Sequence, residues 1–170
     1  VSAIACASRT QFEAIRPVIT MTTTDPLRSD AVFLDLPART KADVLKALAG
    51  RFAEITGREP FPCSRALADR ETLGSTGVGS GVALPHAAVD GIAEPVVLFA
   101  RLARPIDWEA IDEQPVDLVV AVLSPMRGDG ASLNVLSKFA RLMRSETTRI
   151  RLRTGDHAAV VRELTGATNE

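Results

Sequence analysis

The sequence predicts a single α/β domain built in three layers, and three observations indicate it. The chain has 170 residues, the size of one ordinary domain. Hydrophobic residues make up 46% of the chain and charged residues 24%, so it can form a substantial core. Strand-like segments occupy the middle of the sequence, with helical segments at both ends and between them, which is typical of a sheet covered by helices.

The first two elements are a short strand and a helix with clear end signals. The strand is the apolar run at 31–36, AVFLDL, which Pro37 ends. Thr40 begins the helix, with Asp43 three residues later in a variant of the capping box, and Gly57 provides a C-terminal stop. Apolar residues recur between these ends at helical spacing, namely Val44, Leu45, Leu48, Phe52 and Ile55.

Shorter helices and two central strands follow. A short helix is predicted around Ser64–Asp69, before a glycine-rich segment at 74–86. The segments Val96–Leu102 and Val116–Leu123 are rich in branched residues and bounded by prolines, as central strands are. Within Arg104–Gln114 we expect a small edge strand or hairpin. Three helices complete the prediction, one with Leu133, Leu136, Phe139, Ala140 and Met143 on one face and two near Glu146–Arg153 and His157–Leu164.

Composition excludes several classes of function. Lys and Arg number 20 against 21 Asp and Glu, and aromatic residues are only 4%, so nucleic acid is not an expected partner. The most apolar run, Leu118–Leu123, is too short to insert into a membrane. Cys6 and Cys63 lack a CxxC spacing and a nearby histidine pair, so we expect no disulfide framework, no metal and a reducing, cytoplasmic compartment.

The domain is expected to span residues 26–168, after an N-terminal extension at 1–25. The extension lacks a secretory-signal pattern, and Met21 within it is a plausible natural start. We expect residues 1–25 to be disordered.

The segment Gly74–His86 reads GSTGVGSGVALPH and contains four of the 11 glycines. Glycines let a backbone approach a bound group closely, and successive exposed N–H groups bind anions. This is not a Walker loop, because no lysine lies between Lys46 and Lys138. It is not a dinucleotide fingerprint either, because the polar residues 70–72 precede the glycines in place of a buried strand. We therefore expect an anion-binding loop of another kind.

His86 ends this segment directly after Pro85. An unperturbed imidazole has a pKa of about 6.5 and is largely neutral at pH 7, so it can act as a nucleophile. Beside a loop of backbone donors, such a ring has what a phosphoryl acceptor requires. The N–P bond of phosphohistidine is also labile enough to pass the group onward, unlike a serine phosphoester. The alternative is a histidine with a core or capping role.

Two stretches resemble a known family. They are R-E-x-x-G-S-T-G-x-G-x-G-x-A-x-P-H at residues 70–86 and A-I-D-x-Q-P-V-D-L at residues 110–118. They are similar to the type 2 enzyme IIA domain, of the fructose, mannitol and nitrogen-regulatory class, in the bacterial phosphoenolpyruvate:sugar phosphotransferase system. The likeness runs from about Val32 to Leu164. With no transporter or IIB domain appended, the chain most resembles the stand-alone nitrogen-regulatory form.

The resemblance implies a three-layer α/β/α sandwich around a mixed β-sheet, and phosphorylation of His86 by an HPr-type histidine phosphocarrier protein. It also implies that Arg70 lies near the histidine, where a guanidinium suits phosphoryl oxygens. The alternative for Arg70 is a surface ion pair with Glu71. Ser75 is expected to bind the phosphoryl group or to cap the loop. The expected phosphoryl-oxygen loop comprises Thr76, Gly77, Gly79 and Gly81.

One position departs from the family pattern. Relatives usually carry a second histidine at the start of the helix after the third long strand, and here that segment, at 131–137, reads ASLNVLS. Ser132 takes the place of the histidine. A serine at a helix N-terminus can donate to a phosphoryl oxygen, where the helix dipole favours an anion, or it can be an ordinary cap.

These features predict a phosphoryl carrier that acts in the regulation of nitrogen and carbon metabolism and needs no cofactor. A small apolar docking patch around His86 is expected to include Val78, Val82 and Leu84. Three alternatives stay open. The first is a sugar-transport component that passes phosphate to a separate IIB subunit. The second is a regulator that binds protein targets independently of phosphorylation, and the third is a relic that binds anions without turnover.

Overall fold

The computed structural model describes residues 27–127 and 130–166, and these residues form one α/β domain. The predicted extension at 1–25 lies outside the described residues, as does the predicted domain end at 168. The strands are β1 (Val32–Leu36), β2 (Gly77–Gly79), β3 (Val82–Ala83), β4 (His86–Val89), β5 (Val96–Ile106) and β6 (Val116–Pro125). The α-helices are α1 (Lys41–Thr56), α2 (Pro60–Thr72), α3 (Ala131–Leu142), α4 (Glu146–Thr154) and α5 (His157–Thr165), and a 3₁₀ turn at Ser29–Ala31 precedes β1.

The sheet is mixed and lies between two layers of helices, as predicted. Its strand order is β1-β5-β6-β3-β2, with β4 also paired to β6. The long central strands β5 and β6 are antiparallel, whereas β1 is parallel to β5, and β3 and β4 are parallel to β6. Helices α1 and α2 pack together and contact β5 and β4, while α4 and α5 pack together and contact β6 and β1.

Strands β3 and β4 are two parts of one interrupted strand. Ala83 pairs with Val119 and His86 pairs with Val122, so both parts keep the same register along β6. The interruption is Leu84–Pro85. Proline has no N–H to donate to a strand partner, which explains a break at this point. The break ends at the histidine that the sequence singled out.

Local signals predicted α1 correctly and α2 incompletely. Both halves of the capping box of α1 form, and Gly57 ends the helix with a φ of +69°. Helix α2 begins at Pro60, before the predicted start at Ser64, and continues to Thr72. Prolines are accepted in the first turn because the N–H groups there have no partner within the helix.

The prediction of a separate edge strand or hairpin within residues 104–114 is wrong. Strand β5 continues to Ile106, and the chain then forms a loop in which the Trp108 side chain is fully buried. The edge strand comes instead from the glycine segment, as β2. Large buried side chains of the core include Phe52, Phe99, Trp108 and Phe139.

Gly77, Gly79 and Gly81 of this segment lie in a tight β-hairpin, β2–β3, and their contacts explain why side chains are absent there. A Cβ on Gly77 would lie 2.7 Å from the Cβ of Ala110. Gly79 has a φ of +94° and faces the Asp112 carboxylate, and Gly81 has a φ of +77°.

Arg153, on α4, holds the turn of this hairpin in place. Gly81 faces the side chains of Arg153 and Asp117. The Arg153 guanidinium donates to Asp117 at 2.7 Å and to the carbonyl of Ser80 at 2.9 Å. The hydrogen bond with Asp117 raises the pKa of Arg153, against the effect of its partial burial.

Gly77→Ala should destabilise the fold by about 1–3 kcal/mol, because the added methyl group overlaps the Ala110 backbone and side chain. Urea unfolding measures this change. Gly50→Ala in α1 is the matched control, since nothing lies within 4 Å of its Cβ position and a helical alanine is favoured over glycine by about 1 kcal/mol. Equal stability changes in the two variants would contradict the close packing at Gly77.

Candidate functional site

The His86 imidazole is partly exposed and held through its Nδ1 atom. Nδ1 lies 2.9 Å from the carbonyl oxygen of Leu84, at the break between β3 and β4. A carbonyl oxygen can only accept a hydrogen bond, so Nδ1 carries the proton when the ring is neutral. The lone pair of the neutral ring is therefore on Nε2.

Arg70 contacts the other side of the ring. Its Nε donates to His86 Nε2 over 3.1 Å, and its Nη1 donates to the carbonyl of Gly74 over 3.1 Å. Arginine stays protonated and only donates, so this contact requires the same neutral tautomer as the Leu84 carbonyl does. Arg70 lies in the last turn of α2. The predicted proximity of Arg70 and His86 is confirmed, and the surface pair with Glu71 is not observed.

The backbone around the ring is fixed by the strand interruption. The Leu84 N–H donates to the carbonyl of Thr76 at 2.9 Å, and the Pro85 carbonyl accepts from Val122 N–H at 2.9 Å. Both Leu84 and Pro85 are buried. The peptide that accepts from His86 Nδ1 is thus tied to the hairpin on one side and to β6 on the other.

Ser75 and Thr76 use their hydroxyls within the protein. The Ser75 hydroxyl donates to the Trp108 carbonyl at 2.8 Å and accepts from the Gly77 N–H at 3.1 Å. The Thr76 hydroxyl donates to Glu71 at 2.6 Å and accepts from the Trp108 indole N–H at 3.2 Å. Of the two roles expected for Ser75, its contacts correspond to capping the loop.

The predicted phosphoryl-oxygen loop is not an open set of amides that surrounds the imidazole. The Gly77 amide is taken by Ser75, and the positions of Gly77, Gly79 and Gly81 are explained by the close approaches of the hairpin. A role for Thr76, Gly77, Gly79 and Gly81 in binding phosphoryl oxygens stays a prediction, and the contacts described here do not require it.

Ser132 is the second residue of α3, whose N-cap is Gly130. Its hydroxyl oxygen is buried and has no hydrogen-bond partner among the described residues. A buried hydroxyl without a partner is costly and uncommon in folded proteins. Among residues 27–127 and 130–166, the Ser132 hydroxyl is therefore left without a hydrogen-bond partner.

Sequence reasoning missed the part played by Glu71. Its carboxylate is buried, accepts two hydrogen bonds from Thr76 and forms an ion pair with Lys41 at 3.2 Å. An acidic residue next to Arg70 suggested only a surface pair. The spacing of five residues between a glutamate and a threonine across a helix end is too common a signal to identify such a contact.

Within residues 27–127 and 130–166, no three side chains of His, Cys, Asp or Glu converge as they would around a metal ion. None of the helices in these ranges combines the length and the apolar character of a membrane span.

Known proteins share this sequence pattern. A model of the family described as phosphoenolpyruvate-dependent sugar phosphotransferase system, EIIA 2, matches residues 25–166. A nitrogen regulatory protein of Bradyrhizobium diazoefficiens is 38% identical over 141 residues, which are 83% of this chain and 92% of the relative. A fructose-specific EIIA component of Haloferax volcanii is 32% identical over 149 residues, which are 86% of this chain and 95% of the relative.

A solved structure agrees with the sequence matches. The nitrogen regulatory protein IIA-Ntr of Neisseria meningitidis has a TM-score of 0.76 at 30% identity, and the match covers 82% of this chain and 95% of that one. The family resemblance of the two motifs is thereby confirmed. The chain belongs to the type 2 EIIA family of the phosphoenolpyruvate-dependent sugar phosphotransferase system.

Proposed function

We propose that this protein is a phosphotransferase component with a phosphohistidine intermediate, and that His86 Nε2 accepts the phosphoryl group from an HPr-type histidine phosphocarrier protein. The observation that carries the proposal is the pair of contacts on the ring. Leu84 holds the proton on Nδ1, and Arg70 faces the lone pair on Nε2. We place the reaction in the cytoplasm, a reducing compartment in which a thiol such as that of Cys63 stays free.

The proposed step is an in-line transfer. The Nε2 lone pair attacks phosphorus, the new N–P bond forms as the carrier's N–P bond breaks, and the carrier's imidazole leaves with the electron pair. Nδ1 of His86 keeps its proton, so the phosphorylated ring carries a positive charge. The Leu84 carbonyl stabilises that charge through the hydrogen bond it already accepts.

Arg70 has two successive tasks in this proposal. Before transfer its Nε–H donates to the Nε2 lone pair and orients the ring. During transfer this hydrogen bond gives way to the N–P bond, and the guanidinium binds the phosphoryl oxygens instead. The bond from Nη1 to the Gly74 carbonyl keeps the guanidinium beside the ring throughout. A planar, permanently charged group is suited to this exchange.

Ser132 is the second proposed donor to the phosphoryl group. Its hydroxyl has no partner among the described residues and lies at the N-terminus of α3, where the helix dipole favours an anion. A phosphoryl oxygen would satisfy this hydroxyl. Ser75 supports the site indirectly, because its hydroxyl already joins the loop to the Trp108 carbonyl.

The proposed docking patch differs from the one expected from the sequence. Val78 is exposed, but Val82 and Leu84 are buried and are not available to a partner. Exposed apolar side chains lie instead beside the site residues in the chain, with Leu73 next to Gly74 and Leu133 next to Ser132. A small apolar surface of this kind suits a carrier that must dissociate quickly after each transfer.

Nitrogen and carbon regulation is the proposed role, since the nitrogen regulatory relative is more similar than the fructose-specific one. The fructose-specific relative supports a second candidate, a transport component that passes phosphate to a separate IIB subunit. Regulatory protein targets are the expected partners in the first case and a IIB subunit in the second.

His86→Ala should abolish phosphorylation. The full chain is incubated with labelled phosphoenolpyruvate, the first enzyme of the system and its phosphocarrier, and the acid-labile label per chain is counted. His157→Ala is the matched control, because it removes the other histidine, which is exposed at the start of α5, and it should label like the parent. Label retained by His86→Ala, or NMR evidence of phosphate on Nδ1 of the parent, contradicts the proposal.

Arg70→Lys should slow transfer by about 100-fold, because lysine replaces a planar fork of donors with a single ammonium. Quenched-flow labelling at saturating phosphocarrier measures the rate. The control is Arg65→Lys, because Arg65 is on the same helix and forms only an exposed ion pair with Asp69. This variant should transfer phosphate at the parent rate. Equal rates in both variants would remove Arg70 from the proposed mechanism.

Phosphorylated protein should retain its label when it is mixed with a purified fructose-type IIB protein, because the proposed role is regulatory. Gel separation of the two proteins after mixing measures the label on each. A fructose-type EIIA is run in parallel to show that the IIB protein is active. Rapid loss of label to the IIB protein would favour the transport candidate over the regulatory one.

A further inference from the structure

A buried polar cluster lies behind the site and consists of Glu71, Thr76, Trp108 and Lys41. Thr76 donates to the two Glu71 carboxylate oxygens, from its N–H at 3.0 Å and from its hydroxyl at 2.6 Å. The indole of Trp108 donates to the same hydroxyl at 3.2 Å. The Glu71 side chain is 6% exposed, so this contact is shielded from water.

Lys41 supplies the charge that a buried carboxylate needs. Its ammonium lies 3.2 Å from Glu71 and 2.6 Å from Glu109, whose side chain is exposed. Partial burial acts to lower the pKa of Lys41, but hydrogen bonds to Glu109 and Glu71 raise it above its ordinary value. Lys41 therefore stays protonated at neutral pH and compensates Glu71.

Both contacts of the His86 ring lead back to this cluster. On the Nε2 side, Arg70 precedes Glu71 in the last turn of α2, so the bonds of Glu71 fix the point from which Arg70 extends. On the Nδ1 side, the carbonyl of Thr76 accepts from Leu84 N–H, and the carbonyl of Leu84 accepts from the ring. One carboxylate thus connects the two supports of the imidazole.

We infer that Glu71 is a positioning residue, which fixes the tautomer of His86 and the place of Arg70 through its two hydrogen bonds to Thr76. The part of this inference that concerns transfer rates rests on the proposed function, whereas the part that concerns the tautomer does not. Without the carboxylate, Thr76 and Leu84 are free to shift relative to α2. The ring then loses the shared geometry that keeps its lone pair on Nε2.

The test compares two glutamates that pair with the same lysine. Glu71→Gln removes the charge and weakens the bonds to Thr76, whereas Glu109→Gln removes an exposed partner of Lys41 and leaves Thr76 untouched. Thr76→Val is a second variant, because it keeps the backbone N–H and deletes only the hydroxyl. The full chain is labelled with ¹⁵N in histidine, and the imidazole shifts of His86 report the tautomer.

Glu71→Gln should convert the single tautomer with the proton on Nδ1 into a mixture, and Thr76→Val should do so to a smaller extent. Glu109→Gln should match the parent. Transfer from saturating phosphocarrier should fall about tenfold in Glu71→Gln at an unchanged half-saturating concentration, because the reacting groups are misplaced while the docking surface is intact.

The outcomes separate this inference from the proposed function. Parent-like tautomer signals in both Glu71→Gln and Thr76→Val overturn it, even if His86 is phosphorylated. If Glu71→Gln does not fold, the tautomer in Thr76→Val decides alone. A parent that takes no phosphate refutes the proposed function and leaves the tautomer measurement valid. A fall in stability without a change of tautomer would show that the cluster is only structural.

Discussion

The structure of the site depends on one constraint, the break at Leu84–Pro85 in a strand that otherwise runs along β6. The register on both sides of the break is the same, so β6 holds both halves in fixed positions. The two residues between them leave one carbonyl, that of Leu84, turned toward a side chain instead of a neighbouring strand. His86 is therefore placed directly after the break, on a strand that pairs with β6, and its ring is oriented by the Leu84 carbonyl.

The glycines show how one sequence pattern has two physical explanations. Clustered glycines predict an anion-binding loop because residues without Cβ let amides approach a ligand. In the structure, the absence of a Cβ at these glycines instead makes room for the Ala110 backbone and for the ion pair of Asp117 and Arg153. Both explanations require the same residue type, so the pattern alone does not distinguish a ligand from a neighbouring part of the chain.

The positive group that contacts the imidazole, Arg70, is placed by packing. Arg70 lies at the end of a helix whose last turn is anchored by the buried Glu71 carboxylate, and that carboxylate is compensated by Lys41 from the start of α1. Charges from α1 and α2 and the indole of the loop after β5 are thus combined behind a single imidazole. Ser132, on α3, has a buried hydroxyl without a hydrogen-bond partner among the described residues.

Much of the fold was determined by the sequence itself. The capping residues Thr40, Asp43 and Gly57 act within a few residues of one another, and the branched, proline-bounded segments of β5 and β6 are buried on both sides, so local rules identified them. The motif at 70–86 also identified the family. Local rules failed at residues 104–114, where burial of Trp108 replaced a strand with a loop, and at the start of α2, where prolines fit a first turn. The tertiary structure alone decided which nitrogen of His86 keeps its proton and which partner Glu71 takes. Those choices depend on Leu84, Thr76 and Lys41, whose positions relative to the ring and the carboxylate are set by packing between elements distant in the chain.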